Sequence, residues 1–145
     1  MILSLIDVGG PWNVLPPGIH NVTLNEVKTQ FATNPNRQRL FEGFASGFAA
    51  LQKAGSKEIL LNGSFVTDKP NPGDFDCCWK NSGIDVSKLD PVFLDFTDNR
   101  AAQKKKYGGE FFPFGSGVGA TDFFLNFFQK DKHTGKTKGI LRVVT

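Results

Sequence analysis

Cysteine is scarce: the 145 residues hold two, Cys77 and Cys78, side by side. Without a second pair there is no four-ligand zinc site. Neighbours on a strand face opposite sides, so both thiols are expected to be reduced and at least one buried, as suits a cytoplasmic protein. A long apolar run is also missing. Residues 1–6 are apolar, but they lack a basic start and run into Asp7, which fits neither a signal peptide nor a membrane span. Neither sign of charge dominates: 17 Lys and Arg against 14 Asp and Glu, a formal +3. That balance permits a nucleic-acid partner without demanding one. No internal repeat, low-complexity tract or linker stands out, so a single domain over 1–145 is expected. The run Gly115-Ser116-Gly117-Val118-Gly119 lacks the Lys-Ser/Thr of a P-loop and the spacing of a dinucleotide fingerprint. It reads as a loop.

Phenylalanine, by contrast, is abundant at 15 residues, and it carries much of the expected core. The prolines and glycines of 9–22 predict an irregular N-terminal wrap with Trp12 and Ile19 as anchors. Thr23-Leu24-Asn25-Glu26 is a capping box opening a short helix to about Ala32. Asn34-Pro35 then starts a long helix that ends at Gly55. Its stripe is Leu40, Phe41, Phe44, Phe48 and Leu51, and Gly43 and Gly47 allow close packing. Strands are expected over 57–62, 74–79, 91–96 and 139–145, with a strand end near 110–114. Asp98 or Asn99 is expected to cap a short basic helix, and Thr121 one over 122–130 bearing Phe123, Phe124, Phe127 and Phe128. The basic turn 130–138 offers a phosphate-binding patch. His133 there is expected to be exposed, and His20 is not expected to be catalytic.

The chemistry concentrates in residues 57–79. An apolar strand, Ile59-Leu60-Leu61, runs into Gly63-Ser64, and Asp74 and Asp76 follow after nine intervening residues. Residues i and i+2 of a strand share a face, so the two aspartates project together while Phe75 points inward. Carboxylates that close repel, and one is driven toward protonation unless a cation sits between them. Mg2+ suits the pair, because it binds through one or two carboxylates plus substrate phosphates. Gly63 lets backbone approach a ligand, and the following N–H groups with the Ser64 hydroxyl can hold phosphate oxygens.

An apolar strand, Gly-Ser, about ten residues and Asp-x-Asp on the next strand resembles the signature of the nucleotidyltransferase superfamily that includes DNA polymerase beta. The resemblance covers about residues 35–97. The whole chain also resembles a group of small stand-alone bacterial members, through Leu15-Pro16-Pro17-Gly18-Ile19-His20, the stretch from Gly63-Ser64 to Lys69-Pro70, and Lys138-Gly139-Ile140. The resemblance implies an α/β (α+β) domain, a small mixed sheet with helices packed on it. It implies a third carboxylate on a neighbouring strand, for which Asp95 in the apolar run 91–96 is the candidate. It also implies Mg2+ at Asp74, Asp76 and Asp95, and an NTP whose phosphates lie over Gly63-Ser64. Many members carry an Arg soon after Gly-Ser; here Phe65-Val66-Thr67-Asp68 intervenes, and Lys69 is the substitute. Arg100, Lys104, Lys105 and Lys106 are candidates for the triphosphate charge. The implied reaction moves an NMP to a hydroxyl of tRNA, another RNA or a protein. By analogy with the superfamily, a minimal member of this kind fits a bacterial toxin–antitoxin or phage-defence pair, as toxin or antitoxin with a cognate partner, and homo-oligomers are compatible. Two readings compete: an inactive module of this fold that binds RNA or a partner protein, and a metal-dependent hydrolase, which the Gly-Ser strand disfavours.

Overall fold

The computed structural model describes residues 3–115 and 127–145. Its elements in chain order are β1 (Gly18–Thr23), α1 (Leu24–Phe31), α2 (Pro35–Lys53), β2 (Ile59–Asn62), β3 (Phe75–Lys80), α3 (Thr97–Tyr107), β4 (Gly109–Phe114) and β5 (Gly139–Val144). Short 3-10 turns occupy Ser64–Val66, Val86–Lys88 and Pro91–Leu94. The five strands form one mixed sheet in the order β1-β5-β2-β3-β4. The two outer pairings, β1 with β5 and β3 with β4, are parallel, and the two inner ones are antiparallel. With three helices packed on it, this is the expected small α+β architecture.

Local chemistry starts the helices where the sequence places them. The Thr23 hydroxyl accepts from Glu26 N at 3.2 Å while Thr23 N donates to Glu26 Oε1 at 3.0 Å, which satisfies two orphan groups of α1 at once. Asn34 Oδ1 accepts from Arg37 N at 2.8 Å, ahead of Pro35 at the first turn of α2. The apolar stripe of α2 then packs on one face of the sheet. Phe44 meets Phe75 edge-on at 5.5 Å, and Phe75 meets Phe111 at the same distance. Gly43 and Gly47 permit this layer. A Cβ on Gly43 would lie 1.8 Å from Tyr107 O, and one on Gly47 would lie 2.8 Å from Phe111 Cζ.

Alternation separates the two faces. Phe75, Cys77 and Trp79 of β3 face the helices within the main core. On the other face, Cys78 joins a smaller cluster with Leu60, Ile140, Phe114 and Phe128. Asp76 shares the face of Cys78, away from the helices. Both thiols are buried and free. Burial pushes both upward, which leaves them inert as nucleophiles.

Four expectations are corrected. The irregular N-terminal stretch ends sooner, because 18–23 pairs with β5 as β1. Ile19 is exposed, and the wrap is anchored by Val8, Val14 and Leu15 instead. The strand expected over 91–96 is a 3-10 turn and a bend. Pro91 fixes φ, and Asp90 Oδ1 accepts from Val92 N at 3.1 Å, so a local cap outweighs β propensity. Phe93 turns fully inward, stacked on Tyr107 at 5.2 Å, and Val92 packs partly against the same core. Asp98 and Asn99 do not cap α3. With Arg100 they form a left-handed turn, φ 50, 54 and 62°, and the first residue before the helix is Phe96, with no side-chain cap. The helix expected over 122–130 and the loop over 115–119 lie mostly outside the described residues. Phe127 and Phe128 are helical. Among the described residues no helix is long and apolar enough to cross a membrane.

Candidate active site

The turn after β2 is built around one glycine. Gly63 has φ +88° and ψ −169°, a backbone region open to glycine alone. A Cβ there would lie 2.9 Å from Asp76 Oδ2 and 3.1 Å from Asp76 N. The Gly63-Ser64 turn is therefore pressed against the second aspartate, and only a residue without a side chain permits that approach. The chain then makes a 3-10 turn, closed by Thr67 N donating to Ser64 O.

The loop from Phe65 to Lys69 is held from within by Arg37 of α2. Its guanidinium donates through Nη1 to Phe31 O at 3.1 Å and Phe65 O at 2.7 Å. Through Nη2 it donates to Thr67 O at 2.7 Å and Lys69 O, with Nε on Lys69 O as well. Alternate carbonyls of the loop thus converge on one planar fork, a geometry that suits arginine and not lysine. Burial depresses the Arg37 pKa, against the pull of Asp68.

Beyond this loop lies a cavity of about 480 Å3, bordered by Gly63, Ser64, Lys69, Asp74 and Asp76. The sequence-predicted phosphate turn, its lysine and the paired aspartates are therefore brought together. Burial pushes the Asp76 carboxyl up to about 7, with Asp74 and Glu110 adding to the shift and Lys138 and Lys132 opposing it. Asp74 is raised by burial and then by Glu110, against Lys104, Lys132 and Lys69. The basic turn supplies more of the polar lining: Lys130, Asp131, Lys132, His133 and Lys138 border the same cavity. Lys138 is lowered by burial and sustained by Asp76 and Asp131. Its Nζ donates to Asn62 Oδ1 at 3.4 Å, and the Asn62 amide nitrogen, in a side chain only 1% exposed, has no partner.

Asp95 stands elsewhere. It is only partly exposed, does not border this cavity among the described residues, and accepts from Thr97 N at 3.1 Å and Thr97 Oγ1 at 2.6 Å. Those hydrogen bonds hold it below the usual carboxylate range. The acid nearest to the role implied for it is Glu110. On β4 it sits directly beside Asp76 and raises both aspartates. Lys104 reaches the site through it, Nζ to Oε1 at 3.3 Å. Arg100 is also away from the cavity. It donates to Phe111 O at 3.3 Å and lies 4.0 Å over the Phe112 ring. The signal for Glu110 was present in Gly109-Glu110-Phe111, an acid among strand formers. The second acidic run, at Asp95, competed with it.

The donor set suits a hard cation. Two half-buried carboxylates repel each other beside an open cavity, and an ion with oxygen ligands removes that repulsion. Among the described residues no three His, Cys, Asp or Glu side chains stand close enough to hold a metal alone. An ion here would rest on Asp74 and Asp76 and on oxygens brought by a ligand.

No curated protein and no solved structure matches the chain. Residues 10–144 match a family of unknown function, DUF6932, and the chain belongs to that family.

Proposed function

We propose that this chain is a Mg2+-dependent nucleotidyltransferase that moves an NMP from an NTP to a hydroxyl of RNA, tRNA or a protein. The observation that carries this reading is the convergence of Asp74 and Asp76 with Gly63-Ser64 and four lysines on one cavity. In the reaction the acceptor oxygen bonds to the α-phosphorus, its proton is released to solvent, the bond to the bridging oxygen breaks, and pyrophosphate leaves with the electron pair. Bound to Asp74 and Asp76, Mg2+ would supply charge neutralisation and acidify the attacking hydroxyl. The chain does the remainder. Gly63 keeps the backbone close to the phosphates, and Arg37 holds the loop that presents Ser64 and Lys69. Lys130, Lys132 and Lys138 offset the charge that develops on the leaving group.

The test uses α-labelled ATP, Mg2+ and total RNA, run beside the paired variant Asp74→Asn, Asp76→Asn. Label should reach the RNA or the protein only with wild type. Equal labelling by both proteins overturns the catalytic reading.

One observation favours a second reading. Glu110 is already paired with Lys104, as in a site that no longer needs its third carboxylate. A non-catalytic module would bind RNA or a partner through the lysines. It would give no label, and its RNA binding would survive the aspartate changes.

A further inference from the structure

The cavity that gathers the charges has a second chemistry. Trp12 and Pro11 of the N-terminal wrap border it, and so do Phe127 and Phe128 from before the basic turn. Phe128 is buried in the smaller core, with its ring 5.0 Å from Phe112. Phe127 is different: it is 59% exposed, although its ring meets Phe128 edge-on at 5.2 Å. Trp12 is half-buried. Core packing therefore accounts for Phe128, while Phe127 keeps more than half of its surface exposed and Trp12 a smaller part, both at the border of the cavity.

Lys69 ties this apolar part to the charged part. Its ammonium lies 5.8 Å from the centre of the Trp12 ring, and the same cation opposes the raised pKa of Asp74. The wrap is itself fixed onto the site. Asn13 N donates to Asp68 Oδ1 at 2.8 Å, and Asp68 N donates to Asn13 O at 3.2 Å. The residue beside Trp12 is thereby locked to the loop that carries Ser64 and Lys69. On the other side, Gly10 packs on Asp131, His133 and Thr134 of the basic turn. A ligand that fills this space meets cations, carboxylates and aromatic rings together.

We propose that Trp12, with Phe127, forms a stacking slot for the nucleobase of a purine nucleoside triphosphate whose phosphates face Gly63-Ser64 and the lysines. The proposal rests on the nucleotide-binding reading above and adds how the base is held. A flat π-system gains most from aromatic faces, and a purine offers the larger one. The N-terminal wrap, which otherwise looks like packing, becomes part of the substrate site.

The experiment compares Mg-ATP with Mg-tripolyphosphate, which keeps the phosphates and lacks the base. Both are titrated into the full chain by calorimetry and by tryptophan fluorescence. Of the two tryptophans, Trp79 is 1% exposed and packs on Phe93, so quenching by a stacked base reports on Trp12. Wild type should bind ATP roughly tenfold more tightly than tripolyphosphate, with quenching by ATP alone. Trp12→Phe should lose the quenching and keep the affinity. Trp12→Ala and Phe127→Ala should each weaken ATP roughly tenfold and leave tripolyphosphate unchanged. Equal affinity of wild type for the two ligands, without quenching, overturns the slot and leaves the phosphate site standing. Binding of neither ligand overturns the slot and the nucleotide reading together. The wild-type comparison decides even where an alanine variant does not fold.

Discussion

Two segments of this chain look alike on paper and behave in opposite ways. Residues 59–76 and 91–98 each join an apolar run to closely spaced aspartates. In the first, Asp76 is carried on β3 and Asp74 stands just before it; both are half-buried and raised in pKa, with Asp76 held against Gly63. In the second, Asp95 is bonded to Thr97 two residues on and lowered in pKa. Strand pairing separates them. β3 has neighbours on both sides, which force Asp76 to keep its place whatever its charge costs. The 91–95 segment pairs with no strand among the described residues, so its polar groups turn to their own neighbours. A carboxylate becomes available for a ligand when the fold prevents it from satisfying itself.

The largest expected effect separates the two acids directly. Asp76→Asn should cut nucleotidyl transfer on the order of a hundredfold or more, while Asp95→Asn leaves rate and melting temperature near wild type. Comparable losses in the two variants, measured by label transfer, would break the contrast. Next comes the support of the first segment. Arg37→Ala strips Phe65 O and Thr67 O of their donor and should destabilise the protein by ~3 kcal/mol. Arg37→Lys should restore only a minor part, since an ammonium cannot span the fork. Urea unfolding measures both, and full rescue by lysine would show that charge alone matters there.

A smaller effect is expected at Gly63. Alanine must adopt a glycine-only conformation and crowd Asp76 Oδ2, at a cost of ~1–3 kcal/mol. The same measurement on Gly73→Ala, where a Cβ meets nothing within 4 Å, should show little change. The smallest is a pH effect. Asp76 titrates at about 7 in the folded chain and near 4 when unfolded. The folded state therefore binds more protons across that window, and stability without metal should fall as pH rises from about 5 to 7. For this group alone the slope is at most ~1.4 kcal/mol per pH unit. Asp74, raised in the same direction, adds to it. Asp76→Asn should flatten the slope, and Mg2+ should restore stability at the high-pH end. A flat thermal profile in chelator would mean that Asp76 is not held in the strained position described.

Legibility followed the range of the interactions. The capping box at Thr23, the Asn34-Pro35 start and the stripe of α2 were legible because they involve residues within a few positions of one another. The Gly63-Ser64 and Asp74-x-Asp76 pattern was legible because strand alternation is local. Trp12, Lys138 and Glu110 were harder. Each enters the site through a pairing that spans many residues: the Asn13–Asp68 hydrogen bonds, the β5–β2 register, and the β3–β4 register. The basic turn was visible as a possible phosphate patch, but its closeness to Asp76 was not.

The amino-acid order alone determined α1 and α2, the strand that carries Asp76 and the glycine turn before it, since propensity, capping and two-residue alternation act within a few bonds. Only the tertiary structure decided which third acid stands beside Asp76, that Asp95 is spent on its own turn, and that an N-terminal tryptophan reaches the cavity. Those outcomes depend on which strands become neighbours, and strand partnership is set by burial of the whole sheet rather than by any single segment.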